Sequence, residues 1–174
     1  CPTGALTYVY PRASEQGTKL KTLLNTYQKA GGKDAVILLH SQEAGQVLVN
    51  ELGRAAQLKV AKGLPAHVIP VSLWHTASLG LDVWLTALAY GAAQVLVLNT
   101  AEEAPQYADG LQAQMAQAQA MLEGLGYAKA GRMPVQLVHA TQAMELDAEL
   151  QRLTTGQQRL GSTVPAATFA VMAE

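Results

Sequence analysis

The chain has 174 residues, of which 49% are hydrophobic and 14% are charged, and its formal net charge is −1 at pH 7. That length fits one domain of ordinary size, and the scattered lysines and arginines exclude the basic surface that nucleic-acid binding requires. The single cysteine excludes an internal disulfide and is typical of a reducing compartment, so we expect a cytoplasmic protein.

The sequence predicts one amphipathic helix, which is followed along the chain by four short apolar runs. The amphipathic helix is predicted over Lys19–Ala30 and ends at Gly31–Gly32. The four runs predict strands at Ala35–Leu39, His67–Leu73, Gln94–Leu98 and Val135–Val138. The first and third runs are almost entirely apolar, as expected of strands that are covered on both faces of a parallel sheet.

A segment with helical spacing follows each predicted strand. The starts of these helices are marked by residues that favour a helix N-terminus: Ser41, Ser78, the group Glu102, Glu103 and Pro105, and Thr141. Their ends are marked by glycines: Gly91, Gly124 and Gly126. Four strand–helix repeats predict right-handed βαβ units. We therefore expect an α/β fold of three layers, with a doubly wound, mainly parallel sheet of about four strands and helices on both faces, similar to flavodoxin and Rossmann folds.

The most apolar stretch, Leu79–Leu98, is close to the ~20 residues that a membrane-spanning helix needs. Asp82 and Gln94 interrupt it, however, and Gly91 stands where a helix would end before a second element begins. We interpret the stretch as a core helix, a turn and a buried strand, and we predict no membrane span.

Ligands of open parallel sheets bind outside the carboxyl ends of the strands. The residues that follow the predicted strands form a candidate strand-end pocket: His40, Ser41, Trp74, His75, Asn99, Thr100 and His139. These residues could cap helices and satisfy loop backbone, dock a partner, or line a small-ligand pocket. A three-histidine metal site is a further alternative, although no motif such as HxxxH brings two ligands together.

Motifs for nucleotide binding and for hydrolysis are missing from the sequence. GxGxxG, GxxxxGK[ST] and GxSxG do not occur, and Gly45 lies beyond the first predicted strand–helix turn. The third such loop carries Glu102 and Glu103, where a phosphate would need hydrogen-bond donors and positive charge. We predict no catalytic residues and expect that the chain is not an enzyme by itself.

The opening residues Cys1-Pro2-Thr3-Gly4-Ala5-Leu6 resemble the end of a bacterial ferredoxin cluster motif, CxxCxxCxxxCP, whose thiolates hold 4Fe–4S clusters. The resemblance implies that Cys1 is a cluster ligand in an intact protein whose other three cysteines lie upstream. One thiolate holds no cluster, so none is expected in this chain. Residues 1–12 would then be the tail end of a cluster motif, residues 13–158 an α/β domain, and residues 159–174 a linker or edge segment.

A longer resemblance covers about Ala35 to Tyr127. This part is similar to 4Fe–4S ferredoxin-like proteins found alongside formate dehydrogenase components, through the passages at 67–70, 74–82 and 87–92. The resemblance implies electron transfer through 4Fe–4S clusters, with this part as a non-catalytic α/β scaffold or docking surface between cluster modules. It also implies a redox partner protein or an oxidoreductase complex as the partner.

The order of predicted strands and helices is more distantly similar to that of the iron–sulfur delta subunit of methyl-viologen-reducing hydrogenases. That family has cysteines near the ends of the equivalent strands, where this chain has Trp74, His75 and Asn99. We therefore predict no cluster inside the α/β domain.

Two other functions remain open at this point. One is a flavin- or nucleotide-binding enzyme domain, and the other is a pure protein-interaction module. The apolar stripe of Ala108–Leu125 could form either core packing or a dimer seam. The sequence leaves the redox partner and the oligomeric state open.

Overall fold

The fold is taken from a computed structural model, which describes residues 13–128 and 132–154. The strands are β1 (Val36–Ser41), β2 (Val68–Leu73), β3 (Gln94–Asn99) and β4 (Val135–His139). The helices are α1 (Ala13–Lys29), α2 (Ala44–Gln57), α3 (Leu81–Ala89), α4 (Pro105–Gly124) and α5 (Ala143–Thr154), and a 3₁₀ turn spans Thr76–Ser78.

The four strands form one parallel sheet in the order β2-β1-β3-β4. Every residue of β1 and β3 is buried, which confirms the interpretation of these two apolar runs as strands covered on both faces. β2 lies at one edge of this sheet, where Pro70 is tolerated because a proline at an edge can direct its missing N–H away from the ladder.

Helices cover both faces of the sheet and complete three layers. On one face, Leu24 of α1, Trp84 of α3 and Leu111 of α4 pack with the sheet residues Ile37 and Val95. On the other face, apolar side chains of α2 and α5 pack on the opposite side of the same strands, through Leu48, Leu52, Leu146 and Leu150. The predicted doubly wound α/β fold is therefore confirmed.

Several helix starts differ from the predictions. α3 begins at Leu81, because Gly80 is extended and the Ser78 hydroxyl donates to the carbonyl of His75 instead of capping the helix. α4 begins at Pro105, which confirms the prediction that this proline lies in the first turn, but Glu102 and Glu103 lie in the turn before the helix. α1 also begins earlier than predicted, because its first turns are polar and lack the apolar spacing of the later ones.

The Leu79–Leu98 stretch folds as predicted, with α3, a turn at Gly91 and the buried strand β3. Gly91 has a φ of +97°, a left-handed conformation that glycine adopts without strain. Across the described ranges, the helices are too short or too polar to span a bilayer.

The apolar stripe of α4 forms core packing. Leu111, Met115, Ala118 and Leu122 are buried against the sheet, whereas Leu125, just beyond the end of the helix, is exposed. Of the two uses predicted for the stripe, core packing is therefore the one that its buried residues serve.

Gln94 offers a test of polar burial in the core. Its side chain is 1% exposed, and neither amide atom has a hydrogen-bond partner among the residues that the structure describes. Each unsatisfied buried polar group costs about 1–3 kcal/mol. We expect Gln94→Met, which keeps the shape and removes the polar atoms, to raise the free energy of unfolding in urea by about 1 kcal/mol. Gln112→Met at an exposed position of α4 serves as the control, and a less stable Gln94→Met protein would contradict the prediction.

Candidate functional site at the carboxyl edge of the sheet

The strand order creates a crevice between the carboxyl ends of β1 and β3. The connection from β1 leads to β2 on one side, and that from β3 leads to β4 on the other, which is the arrangement of a topological switch point. The 3₁₀ turn Thr76–Ser78 contacts both β1 and β3. The chain therefore places its own turn over the position where doubly wound folds bind ligands.

Glu102 lies at the N-terminus of α2. Its Oε2 accepts hydrogen bonds from the Ser41 hydroxyl at 3.0 Å and from the backbone N–H of Ala44, the first residue of α2, at 3.2 Å. Ser41 is not the N-cap predicted for this helix, because Glu43 holds that position without a side-chain cap hydrogen bond. From the end of β1, however, Ser41 Oγ accepts from Gly45 N–H in the first turn of α2 at 2.9 Å. A carboxylate of the chain thus lies at the positive end of the α2 dipole, a position that phosphate groups occupy in many nucleotide-binding proteins.

Glu103 faces a different set of donors. It is 7% exposed, and its Oε2 accepts from Thr100 N–H at 2.6 Å and from the Thr100 hydroxyl at 2.7 Å. Its Oε1 accepts from the Thr76 hydroxyl at 2.9 Å. Glu103 therefore joins the end of β3 to the 3₁₀ turn, a role that the sequence reasoning missed. The T-x-x-E spacing of Thr100 and Glu103, typical of a capping box, was the available signal.

His40 is packed beneath the first turn of α2. Its Nδ1–H donates to the Ser41 carbonyl at 2.9 Å. A Cβ added at Gly45 would lie 2.9 Å from the His40 Cβ, so this close approach requires glycine. Burial lowers the pKa of His40 below 6.5, and the charge of Lys19 lowers it further, against the hydrogen bond to Ser41.

Stability should therefore depend on pH through His40. In the folded state His40 binds its proton more weakly than in the unfolded chain, because its folded pKa is the lower one. The contribution of neutral His40 to the free energy of unfolding is therefore complete above pH 6.5, and it is lost as the pH falls through the folded pKa. The free energy of unfolding, measured in urea, should fall between about pH 7.5 and about pH 5, and we expect this fall to be smaller in His40→Gln. A midpoint at or above 6.5 for the His40 ring in a folded-state NMR titration would contradict this account.

Two exposed aromatic residues flank His75. His75 Nδ1 accepts from Ala77 N–H at 3.1 Å, and the His75 ring meets the Tyr107 ring edge-on, with the centroids 5.6 Å apart. Trp74 and Tyr107 are each about half exposed. This part of the edge is an aromatic surface, and Tyr107 is a member that the sequence reasoning did not identify.

Asn99 and His139 pair across the ends of β3 and β4. Asn99 Nδ2 donates to His139 Nδ1 at 3.0 Å, as their opposed positions in the parallel register allow. Asn99 is buried, and within the described part of the chain its Oδ1 has no hydrogen-bond partner. His139 is exposed.

The residues of the predicted strand-end pocket form separate pairs of contacts along the carboxyl edge. Ser41 pairs with Glu102, Thr100 with Glu103, and Asn99 with His139. The histidines do not converge: within residues 13–128 and 132–154, no group of three or more histidine, cysteine, aspartate or glutamate side chains could hold a metal ion. Cys1, the predicted cluster ligand, lies outside the described residues.

The hydrogen bond from Ser41 to Glu102 is the kind that joins a nucleophile to its base. Ser41 is fully buried, however, and its hydroxyl oxygen already accepts a hydrogen bond from the N–H of Gly45. A substrate therefore has no access to this oxygen. The arrangement supports a structural role for both residues. No protein-family model and no curated protein matches this chain, so its function rests on these contacts and on the sequence patterns.

Proposed function

We propose that this chain is a non-catalytic α/β domain of a 4Fe–4S electron-transfer protein and acts there as a scaffold or docking surface between cluster modules. The non-catalytic part is supported by the contacts at the crevice where doubly wound enzymes bind their cofactors: Glu102 accepts from the N-terminus of α2, and Glu103 accepts from the turn Thr76–Ser78, which contacts β1 and β3. The electron-transfer part rests on two resemblances: that of residues 1–6 to a ferredoxin motif, and that of about Ala35 to Tyr127 to 4Fe–4S ferredoxin-like proteins.

The described residues alone do not fit a 4Fe–4S cluster. The only cysteine of the chain is Cys1, and clusters of this kind are held by four thiolates. A cluster that uses Cys1 would therefore need three ligands from outside this sequence, and the α/β domain would contribute support and no ligand.

The path of α1 supports a docking role for the carboxyl edge. α1 runs parallel to α3: Gly17 lies against Thr86, and the Lys21 ammonium lies 5.6 Å from the centre of the Tyr90 ring. α3 starts at the carboxyl edge, after β2 and the 3₁₀ turn, so the start of α1 at Ala13 is at that edge as well. The described part of the chain thus begins at the edge where Trp74 and Tyr107 are exposed.

Binding of a flavin or a nucleotide is the competing function, and calorimetry separates it from the proposal. We expect no heat of binding with FMN or ATP, because Glu102 already occupies the positive end of α2 and would repel a phosphate. Saturable binding of either ligand would overturn the non-catalytic assignment.

Iron and sulfide analysis tests the electron-transfer assignment. The natural polypeptide, extended upstream of Cys1 and purified without oxygen, is expected to contain iron and acid-labile sulfide in equal amounts and to be brown. The 174-residue chain, prepared in the same way, is the control and should contain neither. An upstream sequence without cysteines, or a longer protein without iron, would refute the assignment.

A further inference from the structure

An apolar groove lies between α3 and α4, close to their C-terminal ends. Its volume is about 430 Å³. One wall includes Leu85, Leu88 and Ala89 of α3. The other includes Ala120 and Met121 of α4, together with Leu125, which follows the helix. Because helices of this fold run opposite to the strands, the groove lies at the far end of the domain from the carboxyl edge. It is a separate surface from the site described above.

The lining of the groove excludes a specific site for a polar metabolite. All of its lining residues are apolar or glycine. Ligand sites of this size orient their ligands through a few polar groups among the apolar ones. The groove therefore suits apolar side chains from another protein surface.

The charge pattern of α4 favours a second copy of the chain as the occupant. Between Asp109 and Glu123, residues 110–122 contain only glycine, leucine, glutamine, alanine and methionine. A charged partner would lose hydration against this face without gaining an opposite charge. Two copies of this face can pack against each other without burying an unpaired charge, and without bringing like charges together, because residues 110–122 carry no charged side chain.

The groove and two protruding side chains lie on one patch. Met121 and Leu125 are 48% and 62% exposed, and their spacing of four residues places them on the same side at the end of α4. Both of them also line the groove. A two-fold interface requires that one patch present both the protrusion and the recess.

We propose that the α3–α4 groove is a two-fold interface between two copies of this chain, with Met121 and Leu125 of each copy seated in the groove of the other. The proposal is independent of the electron-transfer assignment, because it uses no residue of the carboxyl edge.

Sedimentation velocity of the full chain over the micromolar range tests this interface. We expect a dimer whose population grows with concentration, and Leu125→Glu is expected to weaken it by at least about tenfold, because a carboxylate would be buried without a partner. Gln112→Glu is the matched control, since it makes the same change of charge at an exposed position on the opposite flank of α4. This variant should dimerise like the parent protein.

Cross-linking provides a second measurement that does not depend on the Leu125 variant. In a Cys1→Ser background, Met121→Cys is expected to form a disulfide-linked dimer on mild oxidation, and Gln112→Cys is not. A parent chain that stays monomeric at every concentration would overturn the proposal. A dimer that persists in Leu125→Glu, or equal cross-linking at both cysteine positions, would also overturn it.

Discussion

Glu103→Ala is expected to lower the free energy of unfolding by about 3 kcal/mol. The carboxylate is buried and accepts three hydrogen bonds, two from Thr100 and one from the Thr76 hydroxyl. Without it, the backbone N–H of Thr100 loses its acceptor in a buried position, and the 3₁₀ turn loses its link to the end of β3. Urea unfolding followed by far-UV circular dichroism measures the change.

Glu43→Ala is the matched control for this experiment. It removes a carboxylate from the same edge of the sheet, but Glu43 is exposed and its side chain makes no cap hydrogen bond to α2. We expect a change of at most about 0.5 kcal/mol for it. Glu103→Gln should fall between the two, since one oxygen acceptor remains. Equal stability of the two alanine variants would show that the Glu103 contacts do not stabilise the edge.

Asp147→Ala is expected to cost about 2 kcal/mol of unfolding free energy. Asp147 is a buried residue of α5 whose two oxygens accept the backbone N–H groups of Gly63, at 2.9 Å, and Lys62, at 3.2 Å. This carboxylate fastens α5 to the loop that precedes β2. Its removal leaves both N–H groups without their acceptor, so thermal and urea unfolding should both shift.

Glu149→Ala on the same helix is the control for Asp147. Glu149 pairs with Arg152 at 2.6 Å on the surface, and exposed ion pairs contribute only about 0–1 kcal/mol. A loss of stability in Glu149→Ala as large as that in Asp147→Ala would contradict the distinction between the buried and the exposed carboxylate.

The sheet could be predicted from the sequence because its signals are local. The apolar runs of β1 and β3 contain almost no polar side chain, and in a chain of this kind only central strands of a parallel sheet bury both faces so completely. Glycines at the helix ends were equally informative, since Gly91 and Gly126 have positive φ angles of +97° and +76°.

The contacts at the carboxyl edge could not be predicted, because they join distant parts of the chain. Ser41 and Glu102 are 61 residues apart, and Thr76 and Glu103 are 27 apart. Each of these pairs depends on how the loops meet after the sheet has formed. Sequence reasoning placed both carboxylates in the first turn of α4, whereas α4 begins only at Pro105 and leaves them free to reach α2 and the 3₁₀ turn.

These contacts bear on the proposed function because both carboxylates lie at the crevice between β1 and β3. Glu102 holds the N–H of Ala44, and Glu103 holds the turn that covers β1 and β3. These contacts are the observations that support the proposed scaffold or docking function. The exposed Trp74 and Tyr107 offer such modules an aromatic surface at the same edge.

The proposed role of Cys1 as a thiolate ligand is tested most directly by electron paramagnetic resonance. The sample is a polypeptide that includes the natural sequence upstream of Cys1, reduced with dithionite in the absence of oxygen. The account predicts the signal of a reduced 4Fe–4S cluster in the parent protein and a lost or strongly altered signal in its Cys1→Ser variant. A parent without a cluster signal, or a variant with an unchanged spectrum, would contradict it.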